Sequence, residues 1–283
     1  MMPLPFTSFS RENRRLLLLL IASHLLWSGG IFALSWSGRL FTSTSPWLVV
    51  AFIALQLYAA AQLLLLALLH PEERSRGFYF FWGVILGLSI WLLNQLPASG
   101  LWHELLTAIR SGLLLLVATV TGAALARYIH RLWELVPICV VMTLADFASW
   151  RYGPTAAFTA QIEAHRQTPT SPPPLVDMIL IKLAAPGTAG LVPLFGISDW
   201  IMVVFFAIVA RRFGINDNLI GAAGESLVQQ GKLGRYLPVS VVALGLATIL
   251  AQATGRFIPA LPLIALIMLF WYACRYLRQR RRA

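Results

Sequence analysis

The chain has 283 residues, of which 58% are hydrophobic and only 12% charged, and a net charge of +11; its mean hydropathy is +0.74. A soluble domain of this length would carry about a quarter charged residues, so the composition excludes an ordinary globular enzyme and indicates a polytopic α-helical membrane protein. The positive charge does not indicate nucleic acid. Its basic residues punctuate the ends of apolar runs, and no basic stripe is interleaved with stacking aromatics in a polar segment.

In chain order, runs long enough to cross a hydrocarbon layer of about 30 Å predict eight spans, near 16–36, 47–69, 78–96, 105–126, 132–150, 191–210, 236–252 and 258–274. The first begins behind Arg11, Arg14 and Arg15; it is long and lacks a small-residue cleavage site, so it reads as a retained helix rather than a signal peptide. Arg127, His130 and Arg131 divide the nearly continuous apolar stretch from Leu113 to Trp150 into two helices. With the N-terminus inside, sixteen Lys and Arg residues fall on the inner side of these spans. Six fall on the outer side: Arg39, Arg110, Arg151, Arg166, Lys182 and Arg256. That bias predicts a multi-pass membrane protein with both termini cytoplasmic. The expected organisation is one membrane domain, with N-terminal helices over 1–135 and a second half over 136–283.

The one long connection, 151–190, holds Gly153-Pro154, a short amphipathic helix over Thr155–Arg166, the run Pro169-Thr-Ser-Pro-Pro-Pro174 and a second apolar piece, Met178–Ala185. No internal repeat is visible, which weighs against a transporter built on inverted repeats. Cys139 and Cys274 lie inside apolar runs and the five histidines are scattered, so neither a disulfide framework nor a metal or cofactor site is expected. Gly224-Glu225-Ser226 lacks the following glycine and the intramembrane histidine of a serine nucleophile turn.

Two residues stand out from this apolar background. Asp146 lies in the fifth span and Asp199 in the sixth, and a carboxylate inside a membrane costs about 2.5–3.5 kcal/mol on insertion scales. Taking Arg151 as the outer end of one helix and Pro193 as the start of the next puts both carboxyl groups at about 7–9 Å depth, at 1.5 Å rise per residue. Small neighbours (Ala145, Ala148, Gly196, Ser198) would let the two helices approach closely. A third element opens the last span from the same side: Arg256-Phe-Ile-Pro259-Ala260-Leu261-Pro262, whose two prolines donate no backbone N–H and leave local carbonyls unpaired. From the residues alone, three uses of the aspartates stay open: a pair sharing one proton, a proton relay in a coupled transporter or channel, and structural hydrogen bonds between helices.

Asp146 followed by Gly153-Pro154, then Gly196-Ile197-Ser198-Asp199, then Pro259-Ala260-Leu261-Pro262 resembles, in order and spacing, the presenilin and signal-peptide-peptidase family of intramembrane aspartyl proteases. The resemblance covers about residues 136–275, and the chain would be a prokaryotic homologue. It implies a presenilin-like bundle of eight spans here, against nine in the family. It also implies a catalytic pair, Asp146 and Asp199, supported by Gly196, Ser198, Pro259, Ala260 and Leu261, with no metal or cofactor. The substrates would be transmembrane helices or signal peptides met in the lipid bilayer; nothing fixes the oligomeric state. In the family an unwound substrate pairs as an added strand, and the matching segments here are Pro259–Leu261 and Met178–Ala185. Two positions depart from the pattern: Ala145 replaces the tyrosine before the first aspartate, and Ser198 the glycine before the second. A catalytically silent relative that only binds membrane helices is the other outcome the resemblance allows.

Overall fold

The structure is a computed structural model that describes residues 11–41, 45–69, 76–97, 99–153, 161, 175–188, 190–230, 232, 234–254 and 258–280. Among the described residues the helices are α1 (Arg11–Gly38), α2 (Pro46–Leu69), α3 (Arg76–Gln95), α4 (Gly100–Ala126), α5 (Leu135–Tyr152), α6 (Ile197–Arg212), α7 (Gly224–Gln229), α8 (Val239–Thr254) and α9 (Ala260–Arg280). Strands β1 (Leu180–Ala184) and β2 (Leu191–Gly196) lie between α5 and α6. The expected amphipathic helix at 155–166 and the proline run at 169–174 fall outside the described residues, save Gln161, as do Pro154 and Arg256.

Among the described residues, six helices are long and apolar enough to cross a membrane: α1 to α5 and α9. The protein is therefore mostly helical and polytopic, but the eight expected full-length spans are not met. The reason lies in the sixth and seventh. Helices α6 and α8 have 16 residues each, about 24 Å at the α-helical rise, against a hydrocarbon layer of about 30 Å. In the sixth, the apolar run Leu191–Gly196 is strand rather than helix. A short apolar run with a proline fits a strand edge as readily as a buried helix turn. Pro193 does not start a helix; it sits opposite Lys182, beside a register shift between Ile181 and Lys182.

Helix α6 is the axis of the bundle. Trp200, Val203, Val204, Phe206, Val209 and Ala210 are all fully buried. Its closest neighbour is α4, and Gly122 sets the approach: a Cβ there would lie 2.6 Å from the Ile201 carbonyl oxygen and 2.8 Å from Val204 Cβ. One turn away the Trp200 indole N–H donates to Thr119 Oγ1 at 3.3 Å. On other sides, Ser240 of α8 donates to the Val203 carbonyl (3.2 Å) and Tyr272 of α9 to that of Phe206 (2.6 Å). At the far end Arg211 donates to the Leu68 carbonyl of α2, and Arg212 to the carbonyls of Ala126 (3.3 Å) and Arg127 (2.9 Å) after α4. Helix ends leave carbonyls without intrahelical partners, and these two arginines satisfy them for α2 and α4 together.

The chain after α6 turns back against the bundle. Ile215 N–H donates to Ala210 (2.8 Å) and Trp271 of α9 to the Asn216 carbonyl (3.1 Å). The Asn218 side chain donates to the carbonyls of Ala222 and Arg235 and accepts from Ile220 and Leu237 N–H. Next to it the buried Asp217 carboxylate accepts the Tyr236 hydroxyl at 2.9 Å, and burial pushes its carboxyl up to about 7.

Candidate functional site

Asp199 is the third residue of α6, so it sits in the first helical turn rather than two turns deep. Its Oδ2 accepts the backbone N–H of Gly196 at 2.9 Å. This is the reciprocal half of a capping box, in which an acidic residue at the third position reaches back to the N-cap amide. One oxygen of Asp199 is thereby tied to the protein, and the helix start adds a partial positive charge beside it. Gly196 itself has ordinary extended angles (φ −81, ψ 160), so it is not required for a left-handed turn. What it supplies is room: a Cβ there would lie 3.3 Å from Ser198 Oγ and 3.6 Å from Asp199 Oδ2. Ser198 is exposed beside the carboxylate.

Asp146 lies on the side of α5 that meets α9, in register with Leu135, Ile138, Cys139 and Met142, the helix's inward-facing residues. The backbone N–H of Leu261 faces its carboxyl group, and its Oδ2 is buried with no hydrogen-bond partner. The proline motif explains that contact. A helix start normally offers several unpaired N–H groups, but Pro259 and Pro262 carry none. Among Pro259, Ala260, Leu261 and Pro262 the donors are therefore Ala260 and Leu261, and Asp146 faces one of them. The expected role of the motif was to leave carbonyls free; the observed contact uses an N–H instead.

The two aspartates thus have matching surroundings. Each faces a backbone N–H at the start of a helix, hydrogen-bonded to Asp199 at Gly196, the N-cap of α6, and near Asp146 at Leu261 of α9, and the two carboxyl groups lie within electrostatic range of each other. The structure brings together Asp146, Leu261, Asp199, Gly196 and Ser198; Pro259 and Ala260 enter through the backbone they shape. Among the described residues no group of His, Cys, Asp and Glu is arranged to hold a metal ion.

The hairpin before α6 was not expected. Strand β1 pairs antiparallel with β2, from Leu180 opposite Gly196 to Ala184 opposite Leu191. The other edge of β1 is closed by side chains: Ser111 Oγ accepts Lys182 N–H (3.2 Å), and the Gln56 carboxamide both accepts Ala184 N–H (2.7 Å) and donates to the Ala184 carbonyl (2.9 Å). Asp177, just before β1, bonds Lys182 Nζ at 2.5 Å and Arg110 at 3.4 Å, and Arg110 reaches Asn94. The Met178–Ala185 piece therefore has both its edges engaged. Among the described residues the outer edge of β2 has no strand partner. The signal for Gln56 is present in the sequence, as one of two carboxamides, with Gln62, in an apolar helix of 24 residues.

No family model, curated protein or solved structure matches this chain.

Proposed function

We propose that the protein is an intramembrane aspartyl protease that hydrolyses peptide bonds within transmembrane helices, with Asp146 and Asp199 as its catalytic pair. The observation that carries the reading is the pair itself: two carboxyl groups in apolar helices, each beside the N–H groups of a helix start and within electrostatic range of the other. Two like charges in a low-dielectric site do not both ionise, so one proton is shared and the pair titrates as a unit. The ionised partner takes a proton from a water as the water attacks the scissile carbonyl carbon. The protonated partner donates to the carbonyl oxygen, which gives a tetrahedral gem-diol. Collapse of the gem-diol returns a proton to the departing nitrogen. No metal or cofactor takes part.

A helical substrate must unwind before attack, because its peptide groups are hydrogen-bonded along the helix. The freed groups need partners that lipid cannot supply. The β2 edge beside Asp199 meets that need by strand addition, and it replaces the Met178–Ala185 segment in this role. The strand ends at Gly196, three residues before Asp199, so its edge leads the added strand to the carboxylates. In the proposed orientation both termini are cytoplasmic in a prokaryotic inner membrane, with α6 and α8 completing eight crossings inside the shell of longer helices. The sense matches signal peptide peptidase, so preferred substrates have a cytoplasmic N-terminus.

The test is reconstitution with a single-span substrate in liposomes. Asp146→Asn and Asp199→Asn should each lower cleavage by about 10²–10⁴-fold, the range for removing a general acid or base, with unchanged thermal unfolding. A peptide mimic of the gem-diol should protect both carboxyl groups from carbodiimide labelling. Wild-type turnover retained in either variant would remove the protease reading.

A further inference from the structure

The pair of aspartates is reached through a hairpin, and the hairpin is held by a residue far away in sequence. Gln56 lies on α2 and is 3% exposed. Its Oε1 accepts Ala184 N–H at 2.7 Å, and its Nε2 donates to the Ala184 carbonyl at 2.9 Å and to its own helix at Phe52 (2.8 Å). Exchange of both an N–H···O and an O···H–N bond with one residue is what a neighbouring strand does in an antiparallel ladder. One side chain here takes the place of a strand. Its backbone is anchored in turn, since the Trp27 indole of α1 donates to the Gln56 carbonyl at 3.4 Å. Two residues earlier on the same edge, Lys182 N–H donates to Ser111 of α4. The residues of β1 that face away from β2, Lys182 and Ala184, are thus fixed to two different helices.

We infer that Gln56, assisted by Ser111, is a positioning residue that sets the register of the β1–β2 hairpin and so decides which peptide bond of an added strand reaches Asp199. A two-stranded hairpin is marginal by itself, and strand pairing without a fixed face slips. The register shift between Ile181 and Lys182 interrupts the ladder and weakens the pairing further. The clamp at Ala184, opposite Leu191, pins the end of the hairpin remote from the catalytic residue. With β1 closed on that side, the sheet grows only through β2. A loosened hairpin would move by two residues, because a slip of one turns every side chain to the opposite face.

This inference rests on the protease reading for its products but not for its geometry, and the experiment separates the two. In a Cys139→Ala, Cys274→Ala background, spin labels at Trp47 on α2 and Thr188 in the hairpin turn report the hairpin position by pulsed electron resonance in nanodiscs. Wild-type Gln56 should give one narrow distance distribution, and Gln56→Leu a broad one. On a reconstituted transmembrane substrate, Gln56→Leu should lower kcat/KM about tenfold, as for one to two lost hydrogen bonds. Mass spectrometry should show new products displaced by two residues from the wild-type cut. Ser111→Ala, which removes one bond to the hairpin, should show the same displaced products at a lower share, and it carries the test if Gln56→Leu does not fold. An unchanged distance distribution in the folded variants overturns the clamp. A broadened distribution with unchanged cleavage sites overturns its role in specificity. Absence of all turnover in the wild type, with the distribution broadened in Gln56→Leu, removes the protease reading and leaves the clamp in place.

Discussion

Helices α5 and α6 carry one aspartate each, yet they are built in opposite ways. In α6, nine of sixteen residues are buried, and α2, α4, α8 and α9 surround it. In α5, two of eighteen are buried, Leu135 and Cys139, and its main partner is α9. Val140, Val141, Leu144 and Phe147 of α5 lie on the outside. Asp199 is therefore fixed by the packing of the whole bundle, whereas Asp146 is fixed by one neighbour and one amide, that of Leu261. The comparison teaches that the separation of the pair is set from the α5 side. A change on the buried face of α6 should cost folding, and one on α5 or the proline turn should cost geometry.

The largest expected effect comes from making one substitution on both helices. Phe206 is fully buried in α6, and Phe206→Ala should destabilise by about 3–5 kcal/mol through the cavity it leaves. Phe147 is 51% exposed on α5, and Phe147→Ala should cost less than about 1 kcal/mol. Unfolding in mixed micelles measures both, and equal losses would erase the distinction between the helices.

The next effect falls on geometry. The Pro259→Leu, Pro262→Leu double variant adds two backbone N–H donors to the start of α9. Because both prolines sit at the helix start, where proline is tolerated, stability should change by less than about 1 kcal/mol, well below the figure of about 3 for an interior proline. Cleavage should nevertheless fall about tenfold as the new donors compete for Asp146. Full activity in this variant would detach the proline turn from the site.

A third test lies on the α6 side, where the chain turns back. Asp217 has a carboxyl pushed up to about 7 by burial, against about 3.9 in an unfolded chain. The folded protein then holds a proton that the unfolded chain has released across the window between those values. Its stability at this site is greatest below about pH 4 and declines as pH rises to about 7, at up to about 1.4 kcal/mol per unit. Asp217→Asn should be worse than or equal to the wild type at pH 5 and gain on it steadily to pH 8. Parallel unfolding curves at the two pH values would show that Asp217 does not titrate in this window.

The smallest effect is expected at Gly196. Gly196→Ala brings a methyl 3.3 Å from Ser198 Oγ, a flexible side chain that can rotate away, so cleavage should drop only a few-fold with no change in unfolding. A loss as large as that of Asp199→Asn would mean that Ser198 itself contacts the substrate.

Much of this arrangement could be read from the chain in advance. The aspartates and the proline motif are legible because charge and proline are costly in apolar runs and stand out there. The six long helices are legible from hydropathy alone. The hairpin is not: Leu180–Ala184 and Leu191–Gly196 are short apolar runs, and periodicity does not separate a buried strand from a buried helix turn. The same ambiguity lengthened α6 to a full span and placed Asp199 about one turn too deep. Gln56 was passed over because its meaning depends on Ala184, 128 residues later, and a tertiary hydrogen bond leaves no periodic trace. The donor role of Leu261 was missed for a different reason: prolines were read for the carbonyls they free, not for the few amides they leave.

The short length of α6 bears on how the chain enters a membrane during synthesis. With Asp199 near one end and Arg211 and Arg212 at the other, this sixteen-residue helix combines poor length with three charges, which leaves only a short uncharged middle to partition into lipid. The carbonyls that receive its arginines belong to α2 and α4, segments that leave the ribosome earlier. Those helices can form a receptacle before α6 emerges, so α6 settles into protein rather than into lipid. On this account the N-terminal helices serve as an internal chaperone for the helix that carries Asp199.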